Sequence, residues 1–428
     1  MGVHRIRLLL LRQLRSTRQL ERVDGSRRAL RLVVVLASVT LLVGACGSPA
    51  RHNERAEGPW AGHTITIGAV FSTTGPGSAY GVSQRLGASL AVRQIDATGG
   101  IRGAHLRIIY ENDASLPSLS AEVTRHLIVQ DHVLALLGPT LSDAASGAHP
   151  VADELKTVML AVSNTGLGIV GDCAYPCRWI FRDSLGEQAA IPANIRAYAR
   201  EAHPATASVV YPAGDAFGLS EAQIAEESMA PEGIKLLSVV ECPSATAPVA
   251  GCVAQATSGN PAFLMVTGSS SAFLARVMVR ARADGYLGEF LGGNTFNSTV
   301  TAKLAGPAGQ GAQSAAAWYL GNAFPANESF VASYETAYGR NPDEFAAQAY
   351  TGVELLAKAM EAAPLDFTNL ARDRQAVFDS LEAVRMETPL GPFSFTPSHD
   401  VEQPIWIVQM DGTGGFRLVT SELDQTNA

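Results

Sequence analysis

From Thr64 onward, short apolar runs alternate with longer stretches of helical period. Thr64–Phe71 reads as a buried strand, and Tyr80–Ala97 follows with Leu86, Leu90, Ala91 and Ile95 on one stripe. Gly99 and Gly100 stop that helix. The pattern continues with a strand at Leu106–Glu111 and a helix at Ser118–Gln130, with Val123, Leu127 and Ile128 inward. A strand at Val133–Leu137, a helix at Ala144–Leu155 and a strand at Val158–Ala161 come next. The alternation then restarts, with helices at Gln188–Glu201, Leu219–Met229 and Ala272–Ala283 and strands at Ser208–Tyr211, Lys235–Val240, Ala262–Val266 and Phe290–Leu291. Helices at Glu328–Tyr338, Glu344–Glu361 and Asn369–Val384 and strands at Ile405–Gln409 and Phe416–Leu418 complete the set. Strands alternating with helices of this length imply βαβ units and a parallel sheet. The restart predicts two similar α/β lobes. In open parallel sheets, ligands bind in the crevice beyond the carboxyl ends of the strands, so the residues just after each strand are the ones to weigh.

Ahead of this lies a different pattern. Residues 31–47 form an apolar run that is preceded by arginines and ends in small residues and a cysteine. The run resembles a bacterial lipoprotein signal, with Val43-Gly44-Ala45-Cys46 as the lipobox. Leu32 to Ala45 is 14 residues, short for a bilayer-spanning helix of about 20. The alternative is a transmembrane anchor. Ser26-Arg27-Arg28-Ala29-Leu30 also resembles a twin-arginine signal, so the export route stays open. Residues 1–45 are expected to be the signal peptide. Residues 46–62, polar and broken by Pro and Gly, are expected to be a flexible tether on a lipidated Cys46. This reading places the remainder outside the cytoplasm, anchored to the outer face of the membrane.

Charge sharpens the picture. Residues 1–45 hold nine of the 32 Lys and Arg but only two of the 40 Asp and Glu. The rest of the chain carries 23 basic and 38 acidic residues, a formal net of −15. That argues against nucleic acid or an anionic membrane surface as a partner held by charge. The five cysteines divide as Cys46 plus four. Cys173 with Cys177 and Cys242 with Cys252 suit two short-loop disulfides of an exported protein. A zinc half-site is the alternative for the Cys-x-x-x-Cys pair, but no His-x₃-His accompanies it.

Motifs of catalysis are missing: there is no G-x-S-x-G, S-x-x-K, H-E-x-x-H or Walker loop. Gly75-Pro76-Gly77-Ser78-Ala79-Tyr80-Gly81 has its third glycine one position late for a dinucleotide loop. The nine histidines are scattered singly. The expectation is a protein without enzymatic activity, cofactor or metal.

Several segments, in order, resemble the leucine/isoleucine/valine-binding proteins, the type I periplasmic binding proteins that serve ABC importers. They are Ile65–Val70, Thr74-Gly75-Pro76, Tyr80-Gly81, Gly87-Ala88 and Ile95–Gly103, then Asn112-Asp113-Ala114, Leu137-Gly138-Pro139 and Phe181-Arg182. Gly391–Phe395 and Ile405–Gln409 resemble the family's closing hairpin. The likeness spans residues 63–420. It implies an α/β fold of two Rossmann-like lobes with parallel-rich sheets joined by three crossovers. Lobe 1 would comprise 63–182 plus 319–386, and lobe 2 would comprise 183–318 plus 387–424. It also implies a monomer that closes on a small-molecule ligand and docks on ABC permease subunits. The same fold serves sensors of amides or aromatic acids, which is the alternative to import.

The resemblance also nominates ligand residues. Ser142, after the strand ending at Leu137-Gly138, matches the serine that holds a ligand carboxylate; a helix N-terminus suits an anion, and an N-cap is its plainer role. Asp143 beside it would repel a carboxylate if it faced inward. Thr165 matches the threonine that contacts carboxylate and ammonium, and Ser163 adjoins the backbone acceptor for that ammonium. Tyr80 stands where the family has an aromatic wall. Phe217 occupies a position that is commonly tyrosine. Ser270, in Gly268-Ser269-Ser270-Ser271, replaces a segment that often bears aromatics. Asn294 stands where amino-acid binders often carry a glutamate for the ammonium. Losing that partner costs about 3–5 kcal/mol if nothing replaces it. Three ligands then remain open: an amino acid whose ammonium meets another acid, Glu187 being nearest, a neutral amide, or a carboxylate with no ammonium.

Overall fold

The structure, a computed structural model, describes residues 58–173 and 175–422. The signal, lipobox and Cys46 lie outside the described residues, as does the tether up to residue 57. Its last residues, 58–62, are docked. Trp60 is buried in the first hydrophobic core and its N–H donates to Arg102 O at 3.0 Å. The Arg102 guanidinium lies 4.4 Å from the indole ring. One large aromatic side chain is enough to pin a polar segment that composition alone reads as free.

Two sheets organise the chain. The first has five parallel strands in the order β2-β1-β3-β4-β5. These are β1 (Thr64–Val70), β2 (His105–Glu111), β3 (Leu136–Leu137), β4 (Met159–Ala161) and β5 (Ile180–Arg182). Three helices of this half are α1 (Ser78–Ala97), α2 (Pro117–Val129) and α3 (Ser142–Glu154). The expected strand from Val133 pairs regularly only at Leu136–Leu137. Its earlier residues are buried, and Leu134 N donates to Thr66 O at 2.8 Å outside the regular ladder.

The second sheet has seven strands in the order β15-β14-β10-β9-β8-β6-β7. Its parallel strands are β6 (Thr206–Pro212), β7 (Lys235–Cys242), β8 (Phe263–Val266), β9 (Glu289–Gly292) and β10 (Gln313–Ala316). The antiparallel strands β14 (Ile405–Met410) and β15 (Phe416–Glu422) extend it past β10. Between them run α4 (Glu187–Ala202), α5 (Ala216–Met229), α6 (Ala250–Ala256), α7 (Ser271–Ala283) and α8 (Thr299–Ala305). The seven-residue helices α6 and α8, with barely two turns, show too little period to be read from sequence.

The chain then returns to the first half with α9 (Pro325–Tyr338), α10 (Glu344–Ala362) and α11 (Leu370–Leu381). Val353, Leu356 and Val377 join Ile67, Leu137 and Phe181 in one core. A small antiparallel sheet follows: β11 (Arg385–Thr388), β12 (Gly391–Phe395) and β13 (Val401–Glu402). Phe393 and Phe395 bury themselves in the same first core, with Phe395 5.1 Å from Phe181. Residues 387–402, expected with the second lobe, therefore pack with the first. The return to the second sheet comes at Ile405. The chain passes between the two sheets three times: after β5, after β10 and before β14. Among the described residues, no helix is long and apolar enough to cross a membrane.

Both expected cysteine pairs are joined: Cys173–Cys177 with Cα atoms 6.3 Å apart and Cys242–Cys252 at 5.3 Å. No group of His, Cys, Asp and Glu among the described residues has the arrangement of a metal site.

Candidate functional site

Each sheet offers the carboxyl ends of its strands to the other half. From the first half come the loops after β3 and β4. The loop after β4 is fixed by Arg182, a fully buried cation on β5. Its Nε donates to Asp400 Oδ1 at 2.8 Å, and Nη1 reaches the carbonyls of Asn164 (3.4 Å) and Gly166 (3.3 Å). A buried guanidinium needs both a counter-charge and acceptors, and here those acceptors are the backbone that carries Thr165.

The seam between the halves contains a cavity of about 20 Å³, lined by Tyr80, Ser142, Ser163, Phe217 and Asn294, with Thr140, Leu141, Ser269, Thr295 and Phe345. Five of the seven nominated residues therefore meet around one space. Ser142 is the first residue of α3 and does not cap it. Its Oγ accepts from Gly166 N across 3.2 Å and so links two adjacent loops of the first half. Ser163 is held by two short bonds, donating to Thr140 O and accepting from Gln84 Nε2, both at 2.6 Å. The Tyr80 hydroxyl spans the seam to Ser271 Oγ at 2.7 Å and Ser269 O at 3.3 Å, with its ring 4.5 Å from Phe345. Burial pushes the Tyr80 phenol up, so it stays protonated.

Two nominees sit elsewhere. Ser270 caps α7, its Oγ accepting from Phe273 N at 3.4 Å, and Ser269 lines the cavity in its place. Thr165 is buried beside the cavity and donates to Glu187 Oε1 at 2.9 Å. Asn294 N also donates to that oxygen, at 3.0 Å, while Asn294 Nδ2 donates to Glu344 Oε1 at 2.5 Å.

Both halves bring buried acids to the seam, and of these sequence reasoning passed over Glu221 and Glu344. Glu221 of α5 is buried, and its Oε2 accepts from Gly268 N at 2.9 Å. Burial raises the Glu221 carboxyl well above the ordinary range, with the Glu187 charge adding to it, and burial raises Glu187 as well. Burial also pushes Glu344 up to about 8. Asp143, a neighbour of Ser142, crosses the seam and accepts from Phe217 N at 3.2 Å. Burial, then the Asp215 charge, lifts it to about 6. The only sequence signals for Glu221 and Glu344 are a glutamate one turn past Phe217 and one directly after the helix-starting Asp343. Both look like ordinary helical acids until the fold buries them.

A second, larger chamber of about 850 Å³ lies in the same seam. Ser83, Lys303, Trp318, Tyr319, Arg340 and Glu344 are among the residues that line it.

Two α/β halves linked by three chain passes, with a polar seam between their strand ends, define a class of proteins that take up a solute between two lobes. A sequence model of the periplasmic binding protein family matches residues 64–415, and the chain belongs to that family. Its members are binding proteins, and the family location is outside the cytoplasm. The chain is 23% identical over 345 residues to the leucine-, isoleucine-, valine-, threonine- and alanine-binding protein of Pseudomonas aeruginosa, covering 80% of this chain and 88% of that one. Its fold is similar to the branched-chain amino acid transporter substrate-binding protein LivJ of Streptococcus pneumoniae in complex with isoleucine. The TM-score is 0.74 at 21% identity, covering 84% of this chain and 99% of that one. A solute-binding protein of an ABC transporter from R. palustris, in complex with benzoate, has a TM-score of 0.73 at 20% identity, covering 85% and 98%.

Proposed function

We propose that this chain is the extracytoplasmic solute-binding lipoprotein of an ABC importer, and that it clamps a small amino-acid-like molecule between its two lobes. The observation that carries this reading is the convergence of Tyr80, Ser142 and Ser163 from one half with Phe217 and Asn294 from the other on a single cavity. A space of about 20 Å³ holds no more than one water, so a solute enters only when the halves part and close again. Ser142 Oγ and the free N–H groups at the start of α3 would receive a carboxylate. Thr165 and Ser163 would meet the polar end of the solute, with Tyr80 and Phe217 as its walls. Lobe 1 is then 63–182 with 319–402, and lobe 2 is 183–318 with 405–422. The lipobox ending at Cys46 would tether the monomer to the outer face of the membrane, next to the permease subunits that receive the solute.

The relative from P. aeruginosa supports an amino acid as the ligand by its name. A carboxylate without an ammonium is the second reading, favoured by Asn294 and by the benzoate-bound neighbour. Mass spectrometry of the small molecule that co-purifies with the protein, followed by calorimetry with it, tests the proposal. An amino acid bound at micromolar or tighter affinity is expected. Unchanged uptake of that solute in a deletion strain would refute the import role and leave sensing.

A further inference from the structure

The small cavity and the larger chamber of about 850 Å³ lie back to back in the seam. Three stretches of chain serve both. Ala79 lines the chamber and Tyr80 the cavity, Glu344 the chamber and Phe345 the cavity, Asn297 the chamber and Asn294 the cavity. Two hydrogen bonds bridge the seam there, each between opposite halves. Tyr80 Oη meets Ser271 Oγ at 2.7 Å, and Asn294 Nδ2 donates to Glu344 Oε1 at 2.5 Å. Neither survives a parting of the lobes, so in the open protein the two spaces form one cleft. The chamber has the volume of a site for molecules much larger than a branched-chain amino acid. Its walls suit an apolar body: Trp318 and Tyr319 follow β10, Phe416 starts β15, and Val82, Val300 and Val408 lie among them. Trp318 is buried and its indole N–H already donates to Asn327 Oδ1 at 2.7 Å, so the ring is fixed and offers a guest only contact surface. The acids beside it are committed. Asp343 caps α10 through Ala346 N at 3.0 Å, accepts from Ser83 Oγ and is offset by the Arg340 charge, and Glu344 Oε2 accepts from Ala317 N at 3.2 Å. Lys303, on the opposite wall, has no acid partner among the described residues, which disfavours a guest with a basic end.

We propose that the solute carries a long, ring-bearing side chain, neutral or acidic, with its amino-acid-like head in the small cavity and its ring in the chamber against Trp318. Because this rests on the reading of the seam as the solute site, the test separates the two. Wild-type protein freed of ligand by unfolding and refolding is titrated calorimetrically with L-leucine, with Nε-benzoyl-L-lysine and with 4-phenyl-L-phenylalanine. At least one of the two long compounds is expected to bind tenfold or more tighter than L-leucine. Val82→Trp and Val300→Trp fill the chamber from opposite halves. Each should weaken the long compound tenfold or more while moving L-leucine by less than threefold, a split that general damage to the fold does not produce. L-leucine binding as tightly as both long compounds overturns the inference and leaves the solute-binding reading standing. Filling variants that weaken long and short compounds alike, or neither, overturn it as well. Heat from none of the three compounds counts against both.

Discussion

At the scale of single residues, burial decides what each polar group can do. His149 on α3 is fully buried, its Nδ1 3.3 Å from the Tyr175 hydroxyl, and burial pushes it down to about 3. Its folded value lies below the ordinary 6.5, so the neutral ring contributes stability above pH 6.5 that is lost as pH falls toward 3. Compared with His149→Asn, the wild type should lose about 1.4 kcal/mol more per pH unit between 6 and 4, measured by urea unfolding. Parallel slopes for the two proteins would refute this. The buried glutamates titrate the opposite way, and the comparison with a variant removes their share. Ser142→Ala should weaken a carboxylate-bearing solute about tenfold to a hundredfold, since it removes one hydrogen bond to a charged group, and should lower stability by about 1 kcal/mol because Gly166 N loses its acceptor.

At the scale of elements, caps and clips place the site. Asp215 caps α5 through Gly218 N at 2.8 Å, and its second oxygen holds Ser269 N at 2.7 Å and Oγ at 2.8 Å. One side chain thus fixes both the helix that bears Phe217 and the turn that bears Ser269. Asp215→Ala should cost about 2–3 kcal/mol, a lost cap plus stranded donors, in equilibrium unfolding. The Cys242–Cys252 link joins the end of β7 to α6 across a separation of 10 residues. Its removal by Cys252→Ser should lower stability by about 2–3 kcal/mol on the chain-entropy account, read from the denaturant midpoint under oxidising conditions. A variant as stable as the wild type would show that the loop is held by its packing alone. The alternation of strands and helices was legible because apolar period is a local property. The boundaries moved where a single group intervenes: Asn369 is the cap of α11, accepting from Arg372 N at 3.1 Å, and not its first turn.

At the scale of the whole molecule, the seam between halves is a charged one. Asp143 crosses it to Phe217 N, with Asp215 nearby, and its value rises to about 6 when the seam is shut. A group raised in the closed form favours closure at low pH and loses that effect as pH climbs through about 6. Ligand-free wild type should therefore show a smaller radius of gyration by X-ray scattering at pH 5 than at pH 8. Asp143→Asn should show a smaller difference between the two pH values than the wild type, the remainder belonging to the other buried acids of the seam. A wild-type radius that does not change with pH would remove Asp143 from the closure equilibrium.

The sequence by itself determined the two rounds of βαβ alternation and the spacing of four cysteines, and its resemblance to a known family nominated five of the residues found around the cavity. Those signals are local: a period, a spacing, a short motif after a strand. Only the tertiary structure decided that Ser270 turns away, that Trp60 and residues 387–402 belong to the first core, and that Glu187, Glu221 and Glu344 gather near Asn294. Those residues lie up to 157 positions apart along the chain. Their meeting depends on where helices enter the seam and on which side chains the sheets leave dry, and no window of neighbouring residues records either.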